Sequence, residues 1–162
     1  MDSKKKCRER MARLLVKREY SEAELYRKGI RWGYSSEIAH SALSRLRELN
    51  MVNDDRAASA HVESRLRNRP RGRVALKAEL KKRGFVDGTI SRALLRITDK
   101  TEEEAARKLA IKKVQSLRSY PPEIQHRRLA GFLSRRGFAG WVIADILADF
   151  RNVLEKEDYL DE

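Results

Sequence analysis

The chain writes LKAELKKRGFVDGTISRAL, residues Leu76–Leu94, three times with variations. The other copies are LYRKGIRWGYSSEIAHSAL (Leu25–Leu43) and LAGFLSRRGFAGWVIADIL (Leu129–Leu147). Anchored on Gly33, Gly84 and Gly137, each copy has a leucine eight residues before its glycine: Leu25, Leu76 and Leu129. An aromatic follows directly (Tyr34, Phe85, Phe138), and a further leucine stands ten residues on (Leu43, Leu94, Leu147). Gly84 follows Gly33 by 51 residues and Gly137 follows Gly84 by 53, the mark of a tandem repeat.

Each copy reads as a helix, a glycine stop, an aromatic and a second helix. The glycine supplies a left-handed residue that ends a helix without a Cβ clash. Leucines one turn apart, Leu76 with Leu80 and Leu129 with Leu133, make a buried stripe. Gly29 takes the place of that second leucine in the first copy, which predicts a weaker middle helix there with Ile30 as partial replacement. A further helix precedes each pair: Lys4–Arg18 with Met11, Leu14 and Leu15 inward, Asp54–Asn68 with Val62 and Leu66 inward, and Glu102–Ser119 with Ala106, Leu109, Ala110, Val114 and Leu117 inward. Ser21 with Glu24 and Thr101 with Glu104 have capping-box spacing, Asp54 can cap the helix carrying Val62, and Pro122 suits a first turn. Strand-type alternation is nearly absent. The expectation is an all-α chain of nine helices in three tandem three-helix repeats, residues 1–50, 51–98 and 99–150, stacked into an elongated, curved molecule with an acidic tail over 151–162.

Charge is unevenly spread over the 162 residues, whose formal net charge is +13. Residues 1–60 carry 14 Lys+Arg against 9 Asp+Glu, residues 61–100 carry 12 against 4, and residues 101–162 carry 11 against 11. The excess centres on SRLRNRPRGRV, where Arg65, Arg67, Arg69, Arg71 and Arg73 occupy alternate positions. A two-residue step scatters side chains around a helix but aligns them along an extended chain. Pro70 favours the extended form and Gly72 loosens the chain. Arg73, Lys77 and Lys81, spaced by four, form a ridge; Arg128 and Arg135, seven apart, share a helix face flanked by Arg127 and Arg136. Such a field attracts polyanions, and guanidinium groups pair bidentately with phosphate or carboxylate alike. These eleven cations are the candidate binding residues; their types do not separate nucleic acid from an acidic protein surface.

Other chemistry finds little support. The single cysteine, Cys7, allows no internal disulfide, and His40, His61 and His126 are far apart in sequence. No phosphate-cradling glycine loop, HExxH or GxSxG occurs. Glu102, Glu103 and Glu104 diverge by about 100° per residue on a helix, so they suit a helix N-terminus better than one metal ion. Trp32 and Trp141 could stack on bases, although packing at helix junctions is the simpler expectation. With no apolar run long enough to span a membrane and no signal-peptide core, the expectation is a cytoplasmic, monomeric, non-enzymatic protein without cofactors.

The motifs resemble the RecX family of bacterial recombination regulators. REYSEAELYRKG is similar to that family's first-repeat segment R-x-x-S-x-x-E-L, and Val52, Asn53, Asp54, Asp55, Arg56 and Ala58 resemble its turn leading into D-x-R-x-A. RPRGRVALKAELKKRGF resembles the basic linker and E-L-x-x-x-G helix, with Glu79, Leu80 and Gly84 in place. RRLAGFLSRRGFAGWVI resembles L-x-x-F-L-x-R-R-G-F, through Leu129, Phe132, Leu133, Arg135, Arg136, Gly137 and Phe138. Ala57 replaces a usual aromatic, Pro-Arg-Gly a usual Gly-Pro, and Gly29 a leucine. The resemblance implies tandem three-helix repeats that bind the groove of the RecA–single-stranded DNA filament. It further implies inhibition of filament extension, ATPase and strand exchange, with a place in homologous recombination, DNA repair and the SOS response. The basic connector, with Lys77 and Lys81, would then meet RecA, DNA phosphates or both.

Overall fold

A computed structural model describes residues 2–158, with side chains described for 3–150. Among the described residues there are nine helices and no strand: α1 Asp2–Leu15, α2 Glu22–Arg31, α3 Ser36–Glu48, α4 Asp54–Asn68, α5 Arg73–Arg83, α6 Asp87–Leu94, α7 Asp99–Gln115, α8 Pro122–Arg135 and α9 Gly140–Asp158. They fall as three consecutive triplets. No helix among the described residues is long and apolar enough to cross a membrane. The acidic side chains expected to form a tail over 151–162 lie outside the described residues, and α9 itself runs to Asp158.

The chain forms two compact units. One comprises the residues up to Ser64 with Ala78–Leu95, the other Arg65–Lys77 with the residues from Arg96 on, so the second triplet is divided between them. In the first unit α1, α2 and α3 enclose Cys7, Met11, Leu25, Ala39, Leu43 and Leu46. In the second, α7, α8 and α9 enclose Ala106, Ala110, Leu117, Leu129, Leu133, Val142 and Ile146, with Phe138 folded back onto them. These apolar side chains recur at helical spacing, and their burial supplies the main driving force of each bundle.

The three stop glycines share one backbone state, with φ of +87° at Gly33, +90° at Gly84 and +77° at Gly137. The N–H of each following aromatic reaches back to a carbonyl of its helix: Tyr34 to Gly29 at 3.2 Å, Phe85 to Leu80 and Phe138 to Leu133 at 3.3 Å. That is the bond expected where a left-handed residue closes the last helical turn.

Gly84 and Gly137 have a second task. Within the first unit, the N-terminus of α2 abuts the glycine-ended C-terminus of α5. The Ser21 hydroxyl accepts from the Glu24 N–H (3.0 Å) and donates to the Arg83 carbonyl (2.6 Å). The Glu22 N–H donates to Asp54 Oδ1 at 2.9 Å. A Cβ on Gly84 would lie 2.5 Å from the Ala23 Cβ. The second unit repeats the joint with different residues. Gly72 N–H donates to the Arg136 carbonyl (3.0 Å), Val74 N–H to the Gly137 carbonyl (3.2 Å) and Arg73 N–H to Glu102 Oε1 (2.9 Å). A Cβ on Gly137 would lie 2.3 Å from that of Ala75. In the second joint the N–H groups that open α5 meet carbonyls that close α8, whereas in the first the Ser21 hydroxyl reaches the carbonyl at the end of α5; in each, a carboxylate from the following triplet's first helix accepts from one more N–H. At Gly33 nothing lies within 4 Å of the same position.

Several local expectations are corrected. α7 starts at Asp99, and its cap is Thr98, whose Oγ1 accepts from the Thr101 N–H at 3.1 Å, so Thr101 caps nothing. Asn53 Oδ1, accepting from the Arg56 N–H at 2.9 Å, opens α4; Asp54 serves α2 instead, and burial pushes its carboxyl above the usual range. The first helix ends at Leu15, earlier than expected. Gly29 is a close-approach position: a Cβ there would sit 2.9 Å from Met11 Cε and 3.2 Å from Ala39 Cβ, so leucine has no room. Ile30 is 42 % exposed and replaces nothing. Trp32 packs against the first core under the Arg10 guanidinium, 4.2 Å from its ring. Trp141 is 44 % exposed, because Val142 and Ile146 take the inward face of α9.

Candidate functional site

The arginine run does not form one extended row. Arg65 and Arg67 lie in the last turn of α4, where two residues of separation turn them apart. Only residues 69–72 are non-helical. Gly72, expected to loosen the chain, is instead fixed: besides its bond to Arg136, a Cβ there would fall 2.1 Å from the Gly137 carbonyl oxygen. The connector is therefore anchored at its C-terminal end, with Arg69 exposed and Arg65 and Arg71 half-buried and engaged in contacts of their own.

Arg73 is committed to its unit. Its Nη2 lies 2.5 Å from Asp99 Oδ1, and its Nε lies 3.1 Å from Oε2 of Glu102, whose side chain is 1 % exposed. The ε contact is off hydrogen-bond alignment, so the pair is held chiefly by charge and by the backbone bond to Oε1. This explains Glu102 better than a purely dipolar role at a helix N-terminus. Burying that carboxylate is tolerable because a guanidinium faces it. Lys77 and Lys81 are exposed one turn apart on α5.

In the second unit α8 gathers the remaining candidates. Arg127, Arg128 and Arg135 line a cleft of about 370 Å³ with Lys113 of α7, over a floor that includes Leu117 and Gly131. No carboxylate lines it. None of the four cations has an ion pair to a described carboxylate. Two aromatic rings border the group: the Arg128 guanidinium lies 3.9 Å from the Tyr120 ring centroid, and Lys113 and Arg136 lie 5.6 and 5.2 Å from that of Phe132. Arg136 is half-buried and caps α8, outside the cleft lining. Lys113 is the member that sequence reading missed. Its signal is its position one turn before the inward Leu117, which places its stem beside the α7–α8 seam.

The same joint that orders α2 also tunes a carboxylate. Burial pushes the Glu24 carboxyl upward, but hydrogen bonds from Arg83, the Ser21 N–H and Arg18, with the charge of Arg83, outweigh it and hold the group at about 2. Its Oε2 lies 2.8 Å from Arg83 Nη2. Arg47 pairs with Glu22 and Arg56 with Glu19 (2.7 Å) nearby, so much of the first unit's cationic charge is consumed internally.

Comparison with known proteins places this architecture. Family models described as the first, second and third three-helix domains of RecX match residues 7–46, 53–94 and 101–147. The regulatory protein RecX of Chlorobaculum tepidum is 37% identical over 126 residues, covering 78% of this chain and 76% of that protein. The protein of the same name from Amycolatopsis mediterranei is 34% identical over 134 residues, covering 83% and 77%. That from Streptomyces coelicolor is 36% identical over 121 residues, 75% of this chain but only 63% of the relative's own length. Among solved structures, the crystal structure of RecX from Lactobacillus salivarius superposes with a TM-score of 0.81 at 21% identity, covering 91% of this chain and 96% of that one. A second crystal structure, of a regulatory protein RecX, gives 0.80 at 23% identity, covering 90% of this chain and 71% of that one. With three domain matches in order and relatives above 30% identity over most of its length, the chain belongs to the RecX family.

Proposed function

We propose that this chain is a non-enzymatic regulator of the RecA recombinase, acting in homologous recombination, DNA repair and the SOS response in the cytoplasm. It binds in the groove of the RecA–single-stranded DNA filament, limits filament extension and lowers ATPase and strand-exchange activity. Residues 1–50, 51–98 and 99–150 act as its three repeats. The observation that carries the reading is the membership just described, joined to cations that the fold leaves to face solvent: Arg67, Arg69, Lys77, Arg127, Arg128 and Arg135 in one unit and Lys81 in the other. Arg73 drops out of the contact surface because its charge is already met by Asp99 and Glu102.

Several modest contacts on one filament combine through effective concentration, so affinity for the assembly exceeds that for any one site. The test is a titration of RecA's DNA-dependent ATPase against preformed filaments. The expected result is a fall in turnover at well below one regulator per bound recombinase. An undiminished ATPase at equimolar regulator would overturn the proposal.

A further inference from the structure

We propose that the α7–α8 cleft is a phosphate-backbone site for single-stranded nucleic acid. This deepens the filament reading and rests on it only for where the strand comes from. The lining holds three guanidinium groups and one ammonium group, Arg127, Arg128, Arg135 and Lys113, with no carboxylate among them. Four like charges around one depression repel each other and are stabilised by an anion that enters it. Arg128 and Arg135 stand two turns apart on α8, about 10 Å along the helix axis, so that with Arg127 and Lys113 the cleft presents several donors to an extended polyanion, not one point to a single small anion.

Phosphate is favoured over protein carboxylate by the surroundings. The rings of Tyr120 and Phe132 flank the cations, and Tyr120 is 37 % exposed, so a base can stack at the rim while its phosphate sits inside. The apolar floor of Leu117 and Gly131 offers no side-chain acceptor that would compete for the guanidinium donors.

Fluorescence anisotropy of a labelled oligothymidylate with the chain alone tests this, without RecA, so its outcome is separate from the ATPase titration. The variant K113Q/R128Q/R135Q, with helical content checked by circular dichroism, is expected to bind at least tenfold more weakly at low salt. Its salt slope should fall by about 2, from three fewer phosphate neutralisations on a single strand. A control variant, K5Q/R13Q/K17Q, removes the same charge from exposed positions in the other unit and should change affinity less than threefold. Equal losses in both variants would show only a general cationic field and overturn the site. So would displacement of the oligonucleotide by oligoglutamate at matched negative charge, since that would mean that the cleft does not select phosphate over carboxylate.

Discussion

Replacing Gly137 by alanine is expected to destabilise the second unit by about 3 kcal/mol, whereas the same change at Gly33 should cost about 1 kcal/mol. Both residues sit at positive φ, +77° and +87°, so both replacements incur the left-handed penalty of a side chain. They differ in what the new methyl group meets. At Gly137 it would lie 2.3 Å from the Ala75 Cβ and 2.4 Å from the Ala75 backbone nitrogen. At Gly33 it would meet nothing within 4 Å. Relief at Gly137 requires the α5 N-terminus to withdraw, which stretches the Gly72–Arg136 and Val74–Gly137 hydrogen bonds. Gly84→Ala, facing the Ala23 Cβ at 2.5 Å, should behave like Gly137→Ala. Urea denaturation of the three single variants measures this. Equal costs at all three glycines would mean that the helix-to-helix joint contributes no steric constraint.

The second large effect is electrostatic. Glu24, held at about 2, has a depressed folded-state value, so the stability it confers is complete above its unfolded value near 4.5 and disappears as pH falls toward 2. A displacement of that size corresponds to about 3 kcal/mol at neutral pH. The side chain is 16% exposed, so solvent screening reduces this only modestly. Glu24→Gln, which preserves shape but removes charge, is expected to lose about 2–3 kcal/mol at pH 7 and to converge with the parent chain near pH 2. Denaturant midpoints at pH 7, 4 and 3 provide the check. A gap between the two chains that stays constant across that range would show that ionisation of Glu24 is not the source.

The repeat plan was legible in the sequence because a helix stop is a local requirement. A glycine followed by an aromatic, at 51- and 53-residue spacing, needs no tertiary partner to be recognised. What the same glycines touch was not legible. The Ala23 and Ala75 turns that fill the space beside Gly84 and Gly137 are unremarkable alanines until the fold brings them there. Gly29 misled for the same reason: judged along its own helix it is a missing leucine, yet in space it is the gap that admits Met11 and Ala39.

Caps failed where two suitable residues competed. Thr98 and Thr101 stand three apart, Asn53 and Asp54 are adjacent, and neither choice is settled by capping chemistry alone. Burial of Ile97 and Val52 just upstream fixes where each helix begins. Of the candidate cations, helical spacing correctly put Arg128 and Arg135 on one face. Alternation in the arginine run suggested a continuous row that the end of α4 interrupts. Arg73 was indistinguishable from its neighbours in sequence, since its partners Asp99 and Glu102 lie 26 and 29 residues away.

The most direct test of filament regulation is the ATPase titration run at two concentrations of single-stranded DNA with RecA held fixed. A filament-bound regulator gives the same inhibition at the same regulator-to-RecA ratio in both series. Inhibition that recedes in proportion to added free DNA would mean that the chain acts by sequestering nucleic acid, and would contradict the account.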